Sequence, residues 1–275
     1  MKDKNNIITL STVFILFSIF FWAKTGNMMI DFSREIYIPY QMQTGQVLVK
    51  DIFLIYGAFG YIANLIIYKF LTNINLLLLE AHIISYSIII LVYFILNKFF
   101  TKKASIFLSM LFMGVSVFSN STFSFVLPYS YSNLWAVFGI YLSLFGILYN
   151  RKNILFLALG LILANRIEYF IPAFLISICY LVCQKESFKK NIIYMFICPL
   201  VPILYFLANK VNLNNFIYNY HYIKEMFNTD ALKHLYRGMG VFFEKKYFVF
   251  NCFLSIKIFL IFAISYLLYF IKKLP

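Results

Sequence analysis

Asp31, Arg34 and Glu35 stand at i, i+3 and i+4 in a chain with little charge. On a helix that spacing brings two carboxylates and a guanidinium within about one turn. Such a group can take a proton from a hydroxyl, hold an anion, or close into an internal ion pair. It belongs to a polar stretch over residues 31–61, DFSREIYIPYQMQTGQVLVKDIFLIYGAFGY, which also carries Lys50 and Asp51. A second polar group, Asn165-Arg166-Ile167-Glu168, forms the tip of a hairpin between two apolar runs. An Arg near membrane depth needs a partner. Here that is either Glu168 or an anionic lipid phosphate, whose geometry a guanidinium matches. A third group, Lys233-His234 with Arg237, makes a basic helical face suited to a phosphate headgroup or to a membrane surface. Glu80 and His82 lie inside an apolar run and read as buried polar groups met by neighbouring helices.

The elements that must position these groups are membrane helices. Of 275 residues, 63% are hydrophobic and 12% charged, and soluble domains carry about twice that charge. Several runs approach the roughly 20 apolar residues that span a bilayer as a helix. Their continuity excludes the alternating pattern of a β-barrel. The fold class is therefore all-α, a polytopic integral membrane helical bundle. The net charge of +14 falls in short basic groups between apolar runs, as expected for cytoplasmic loops, and does not point to nucleic acid. Four cysteines, Cys179, Cys183, Cys198 and Cys252, lack zinc spacing. No metal, cofactor or disulfide framework is expected.

The run from Ile7 to Trp22 follows Lys2 and Lys4 and lacks a small-x-small cleavage site, so it reads as a retained first span with the N-terminus inside. Basic groups at 98–103, 151–152, 185–190 and 272–273 are placed inside, with two crossings between successive groups. The exception precedes Lys98, where two apolar runs must make one net crossing. Ile52 to Leu71, with Tyr56, Gly57, Gly60, Asn64 and Lys69, is the less apolar of the two and is expected to be tilted, broken or interfacial. The count is about eight transmembrane helices, plus interfacial helices in the first external loop. One transmembrane domain over 1–275 is expected, with external loops at about 24–55 and about 209–246.

The pattern of residues 31–61 also carries a resemblance. Its acid, Arg-Glu, Pro39, Thr-Gly-Gln-Val-Leu, Lys-Asp-Ile-Phe and Tyr-Gly resemble the first external loop of GT-C fold, polyprenyl-phosphate-sugar-dependent glycosyltransferases. The nearest group is the bacterial protein O-mannosyltransferase-like and ArnT-like membrane enzymes. Ala58 stands where many relatives have proline, and the segment 120–133 lacks the second acid that many members carry. The resemblance implies a bacterial plasma-membrane enzyme with an externally (periplasmically) facing site. It implies a polyprenyl-phosphate sugar donor and a lipid, glycan or protein acceptor. Asp31 is implied as catalytic base, with Glu35 the alternative or partner acid. Arg34, Arg166, Glu168, Lys233 and Arg237 are the candidates for donor phosphate binding. Members of the group often run longer, so a short member, a truncated product and an inactive remnant are all open. The rival functions are a non-catalytic membrane scaffold and a transporter or lipid flippase.

Overall fold

The computed structural model describes residues 2–22, 33–70, 74–118, 124–126, 128, 130–184 and 191–229. The helices are α1 (Lys2–Phe21), α2 (Ser33–Gln43), α3 (Ala58–Phe70), α4 (Ile74–Leu96), α5 (Lys102–Phe112), α6 (Tyr131–Leu148), α7 (Lys152–Asn165), α8 (Ile167–Cys183), α9 (Ile193–Ala208) and α10 (Leu213–Phe227). A π-helical turn, Met113–Val117, extends α5. No strand occurs among the described residues. The chain divides into two compact units, Met1–Phe216 and Ile217–Pro275. The described part of the second is the C-terminal portion of α10 and the two residues after it.

The all-helical architecture expected from continuous apolar runs is present. Three helices, α1, α4 and α6, are long and apolar enough to cross a membrane, and a fourth span arises only if α9 and Leu213–Glu225 are counted together as one broken span. α8 and α9 turn large apolar side chains outward, including Ile171, Leu175, Val182, Phe196, Leu200 and Leu207. Water penalises such faces and hydrocarbon does not, so these features mark a membrane protein.

The polar contacts fix helix direction. α1 runs against α4: Asn6 donates to the Tyr93 hydroxyl at 2.9 Å, the Ser11 and Tyr86 hydroxyls lie 2.6 Å apart, and Trp22 donates to Asn75 at 3.2 Å. α6 runs with α4: Trp135 donates to Glu80 near one end, and Tyr149 donates to the Phe94 carbonyl near the other. α7 returns along α6, with Gly146 against Leu155 and Gly139 against Ile162. These directions place Lys98, Arg151 and the N-terminus of α1 at one end of the bundle, where Lys98 lies over the Tyr149 ring at 4.2 Å. Arg34, Glu35, Asn165 and Arg166 lie at the other end.

The stretch expected to be tilted or broken is broken. Residues 52–57 are non-helical, and α3 starts only at Ala58. Its 13 residues reach about 20 Å, short of the roughly 30 Å hydrocarbon core. Before it, α2 ends in a Schellman cap. The Gln46 amide bonds the Gln41 carbonyl and the Gly45 amide bonds that of Met42, with Gly45 at φ 99°. A tight turn follows, in which the Val47 carbonyl accepts from Asp51 and the Asp51 carboxylate accepts from the Val47 amide, both at 2.8 Å. Val49 sits there at φ 73°, a strained position for a β-branched residue. Its side chain is buried with Leu48 and Ile52 against α2 and α3.

Among the glycines that permit close backbone contact, Gly57 and Gly160 are the most tightly enclosed. A Cβ on Gly57 would collide with the backbone of Ala164 and Asn165, and one on Gly160 with that of Met195. Gly114 faces open space. Gly57→Ala and Gly160→Ala should each lower the melting temperature in detergent by several degrees, as overpacking of a close contact costs about 1–3 kcal/mol. Gly114→Ala should not. For orientation, cysteines placed at Lys102 and Arg151 should label from one side of the membrane, and cysteines at Thr44 and Glu168 from the other. Labelling of all four from one side would overturn this arrangement.

Candidate functional site

α2 presents Glu35, Ile38, Pro39 and Met42 inward, at the i, i+3, i+4, i+7 spacing of one helical face. Glu35 is fully buried. Its Oε1 accepts from Arg34 Nη2 at 3.1 Å and from the Tyr61 hydroxyl at 3.3 Å, and its Oε2 accepts from the Tyr131 backbone amide at 3.0 Å. Tyr131 is the first residue of α6, and Ser130 before it makes no side-chain capping bond. Glu35 therefore caps α6 from a distant helix, satisfying an orphan amide and facing the positive end of the helix dipole. Burial raises the Glu35 carboxyl above its ordinary 4.5; Arg34, the Tyr131 amide and Tyr61 pull it back only in part.

Arg34 and Arg166, far apart in sequence, meet at one aromatic ring. The Arg34 guanidinium carbon lies 4.8 Å from the centre of Tyr56, and that of Arg166 lies 3.7 Å from it. Stacking uses the face of a guanidinium and leaves its edge for hydrogen bonds. Arg166 Nη1 donates to Glu168 at 2.9 Å. Its Nε is buried and lacks a hydrogen-bond partner among the described residues. The Arg166 side chain is mostly covered, whereas that of Glu168 is half exposed.

The backbone that carries Tyr56 is held tightly. The Gly57 amide donates to the Asn165 carbonyl at 2.8 Å, the Gly60 amide to Asn165 Oδ1 at 3.2 Å, and the Ser132 hydroxyl to the Gly57 carbonyl at 2.8 Å. Asn165 is itself buried and donates to the Leu161 carbonyl. The α7–α8 junction, the start of α3 and the start of α6 are thus locked together beneath the arginines. A step deeper, Glu80 accepts from Trp135 at 3.2 Å. With its amide nitrogen turned inward, Asn64 donates to Glu80 at 3.0 Å and to the Gly60 carbonyl at 3.1 Å. Glu80 is therefore met by neighbouring helices, as expected.

Of the residues singled out from the sequence, the structure brings together Arg34, Glu35, Arg166 and Glu168. Asp31, Lys233 and Arg237 lie outside the described residues. Arg166 pairs with Glu168, which is one of the two readings of its hairpin, and also lies over the Tyr56 ring. The sequence reading missed Tyr56 as the shared platform and Tyr61 and the Tyr131 amide as partners of Glu35. The Tyr56-Gly57 pair was the available signal, because a glycine after an aromatic residue allows close backbone approach. Among the described residues no group of three or more His, Cys, Asp or Glu could hold a metal ion. Comparisons with family models, curated proteins and solved structures gave no match.

Glu35→Ala strips a partner from the Tyr131 amide and from Tyr61, and should destabilise the protein by about 3 kcal/mol in thermal melts, as removal of one member of a buried pair does. The pH dependence has a definite sign. The folded carboxyl holds its proton at pH values where the unfolded one has lost it. The stability that Glu35 contributes is therefore fully present below about 4.5 and is lost as pH rises through the window up to the folded value. Glu35→Gln should flatten that fall. An unchanged slope would show that Glu35 does not set it.

Proposed function

We propose that the chain is an integral membrane glycosyltransferase with a GT-C-like fold of about eight spans. On this reading it sits in the bacterial plasma membrane and moves a sugar from a polyprenyl-phosphate donor to a hydroxyl acceptor at the external face. The observation that carries the proposal is the convergence of Arg34 and Arg166 on Tyr56, at the end of the bundle opposite the basic cluster. The resemblance of residues 31–61 supplies the sequence half of the support. Two planar guanidinium groups gathered at one ring suit a phosphate, whose charge grows as the glycosidic bond breaks.

Asp31 is the proposed base, accepting the acceptor hydroxyl proton as its oxygen attacks the anomeric carbon. Glu35 is the partner acid. Fully buried and saturated with donors, it acts by holding Arg34 rather than by touching substrate. Arg166 is the principal phosphate ligand, and Glu168 occupies its Nη1 edge when no phosphate is there. Lys233 and Arg237 are proposed as further phosphate ligands. A phosphate leaving group needs little protonation, so one base and a set of cationic ligands are chemically sufficient.

The test is incubation of purified protein with labelled polyprenyl-phosphate sugars and a search for free lipid phosphate. Asp31→Asn should lower transfer on the order of a hundred- to ten-thousandfold while donor still binds. Arg166→Ala should weaken donor binding and slow transfer together, and Arg166→Lys should recover only part, since a point charge lacks the planar fork. If Arg166→Ala and Glu168→Gln lower thermal stability alike and leave activity per folded molecule unchanged, the hairpin pair is structural.

A further inference from the structure

A charged surface lies at the end of the bundle opposite the arginine site. α4 supplies a 22-residue apolar stretch, Asn75–Leu96, about 33 Å long and so matched to the roughly 30 Å hydrocarbon core. The residues just past it therefore stand at a boundary between hydrocarbon and headgroups. They read Lys98-Phe99-Phe100-Thr101-Lys102-Lys103, and all six are exposed. Three cations thus flank two adjacent rings, of which Phe99 is 65% and Phe100 51% exposed.

The turn is held in place. The Phe99 and Phe100 amides both donate to the Leu96 carbonyl, at 3.0 and 2.9 Å. Thr101 then caps α5, its hydroxyl accepting from the Ala104 amide at 3.4 Å. The junction between α6 and α7 is tied to this turn: Lys98 lies over the Tyr149 ring, and the Tyr149 hydroxyl donates to the Phe94 carbonyl at 2.9 Å. Arg151, two residues further on, is exposed. Cations from two junctions are therefore carried on one fixed surface, which lowers the ordering cost of binding an anion.

Within the first compact unit the described carboxylates stand elsewhere. Glu35, Asp51 and Glu168 lie at the opposite end, and Glu80 lies inside the bundle. The first turns of α5 and α7 carry Lys102-Lys103 and Lys152 and no acid, so the helix dipoles add to the positive field. Exposed rings call for an apolar layer, and the flanking cations call for negative charge just above it. A bilayer that contains anionic phospholipid offers both at that spacing. A free phosphate or an acidic protein segment would meet the cations and leave the two rings in water.

We propose that the 98–103 turn, together with Arg151, is a binding surface for anionic phospholipid. Phe99 and Phe100 enter the acyl boundary, and Lys98, Lys103 and Arg151 hold headgroup phosphates. Zwitterionic lipid meets the rings equally well but brings its own cation to the phosphate, so the surface selects by net headgroup charge. This inference does not rest on the glycosyltransferase reading.

The experiment uses the full chain in phosphatidylcholine vesicles. The probes are trace phosphatidylglycerol and, in parallel, trace phosphatidylcholine, each with a diazirine near the headgroup end of one acyl chain. After photolysis and peptide mapping, phosphatidylglycerol should label residues 97–103 and 149–152 about fivefold more than phosphatidylcholine, the order that one cation near an anionic headgroup gives. Salt at about 0.5 M should remove most of that preference. Lys98→Gln, Lys103→Gln and Arg151→Gln together should bring phosphatidylglycerol labelling down to the phosphatidylcholine level and leave the latter unchanged. Phe99→Ser with Phe100→Ser should lower labelling by both lipids. Equal labelling by the two lipids on the unaltered protein would overturn the proposal, because the cations would then face water or another protein. So would a preference that maps elsewhere, that survives the salt, or that persists in the triple glutamine variant. The lipid comparison and the salt step use the unaltered protein, so they decide the matter even if a variant does not fold.

Discussion

The arrangement at the polar end of the bundle depends on one buried carboxylate. Glu35 joins three elements through four donor atoms: Arg34 on its own helix through Nε and Nη2, Tyr61 on α3, and the first amide of α6. Without it the first amide of α6 would lose this acceptor and Arg34 this carboxylate. A buried ion pair adds little net stability against an apolar replacement of the same shape. What it supplies here is position. α2 cannot slide along α6 without taking the carboxylate off the helix end, so the register of α2 and the placement of Arg34 are set by the same bond.

Much of the bundle was legible because hydrocarbon imposes simple rules. Continuous apolar runs, basic groups between them and low charge gave the all-helical membrane class. The interrupted composition of 52–71 gave the break before α3. The partners of Glu35 were not legible. One is a backbone amide, which leaves no trace in residue identity, and Tyr61 looks like any aromatic residue of an apolar helix. Arg34 and Arg166 could be named as cations but not paired, since only the folded chain brings Tyr56 beneath both. The spacing of Asp31, Arg34 and Glu35 does not tell which side of the helix meets the core. Glu35 faces the core, because α2 lies on the bundle and its inward stripe passes through 35, 38, 39 and 42.

Tyr56 holds its place by backbone chemistry rather than by side-chain packing alone. Gly57 and Gly60 give both of their amides to Asn165, the last residue of α7. The next residue in the chain is Arg166, in an extended conformation between two helices. One asparagine therefore sets the start of α3 and the start of α8 at once, and the stacking of Arg166 on Tyr56 follows from that geometry. This is why a hairpin with short arms can carry an arginine in a largely covered position: the cation rests on a ring that its own neighbour fixes.

Two guanidinium groups against one ring repel each other, and the two glutamates answer that repulsion unequally. Glu35 is sealed in and cannot leave Arg34 without exposing the amide of Tyr131. Glu168 is half exposed and binds only one nitrogen of Arg166. An exposed pair is weak and exchanges with other anions, whereas a buried one does not. On the proposed reading an incoming phosphate meets a fixed pair and an exchangeable one: it displaces Glu168 at small cost and takes up the edge of Arg166, while Arg34 stays where Glu35 holds it. On the proposed reading this asymmetry divides the work: Arg166 engages and releases the lipid phosphate in each cycle, and Arg34 is the stationary charge against which that exchange takes place.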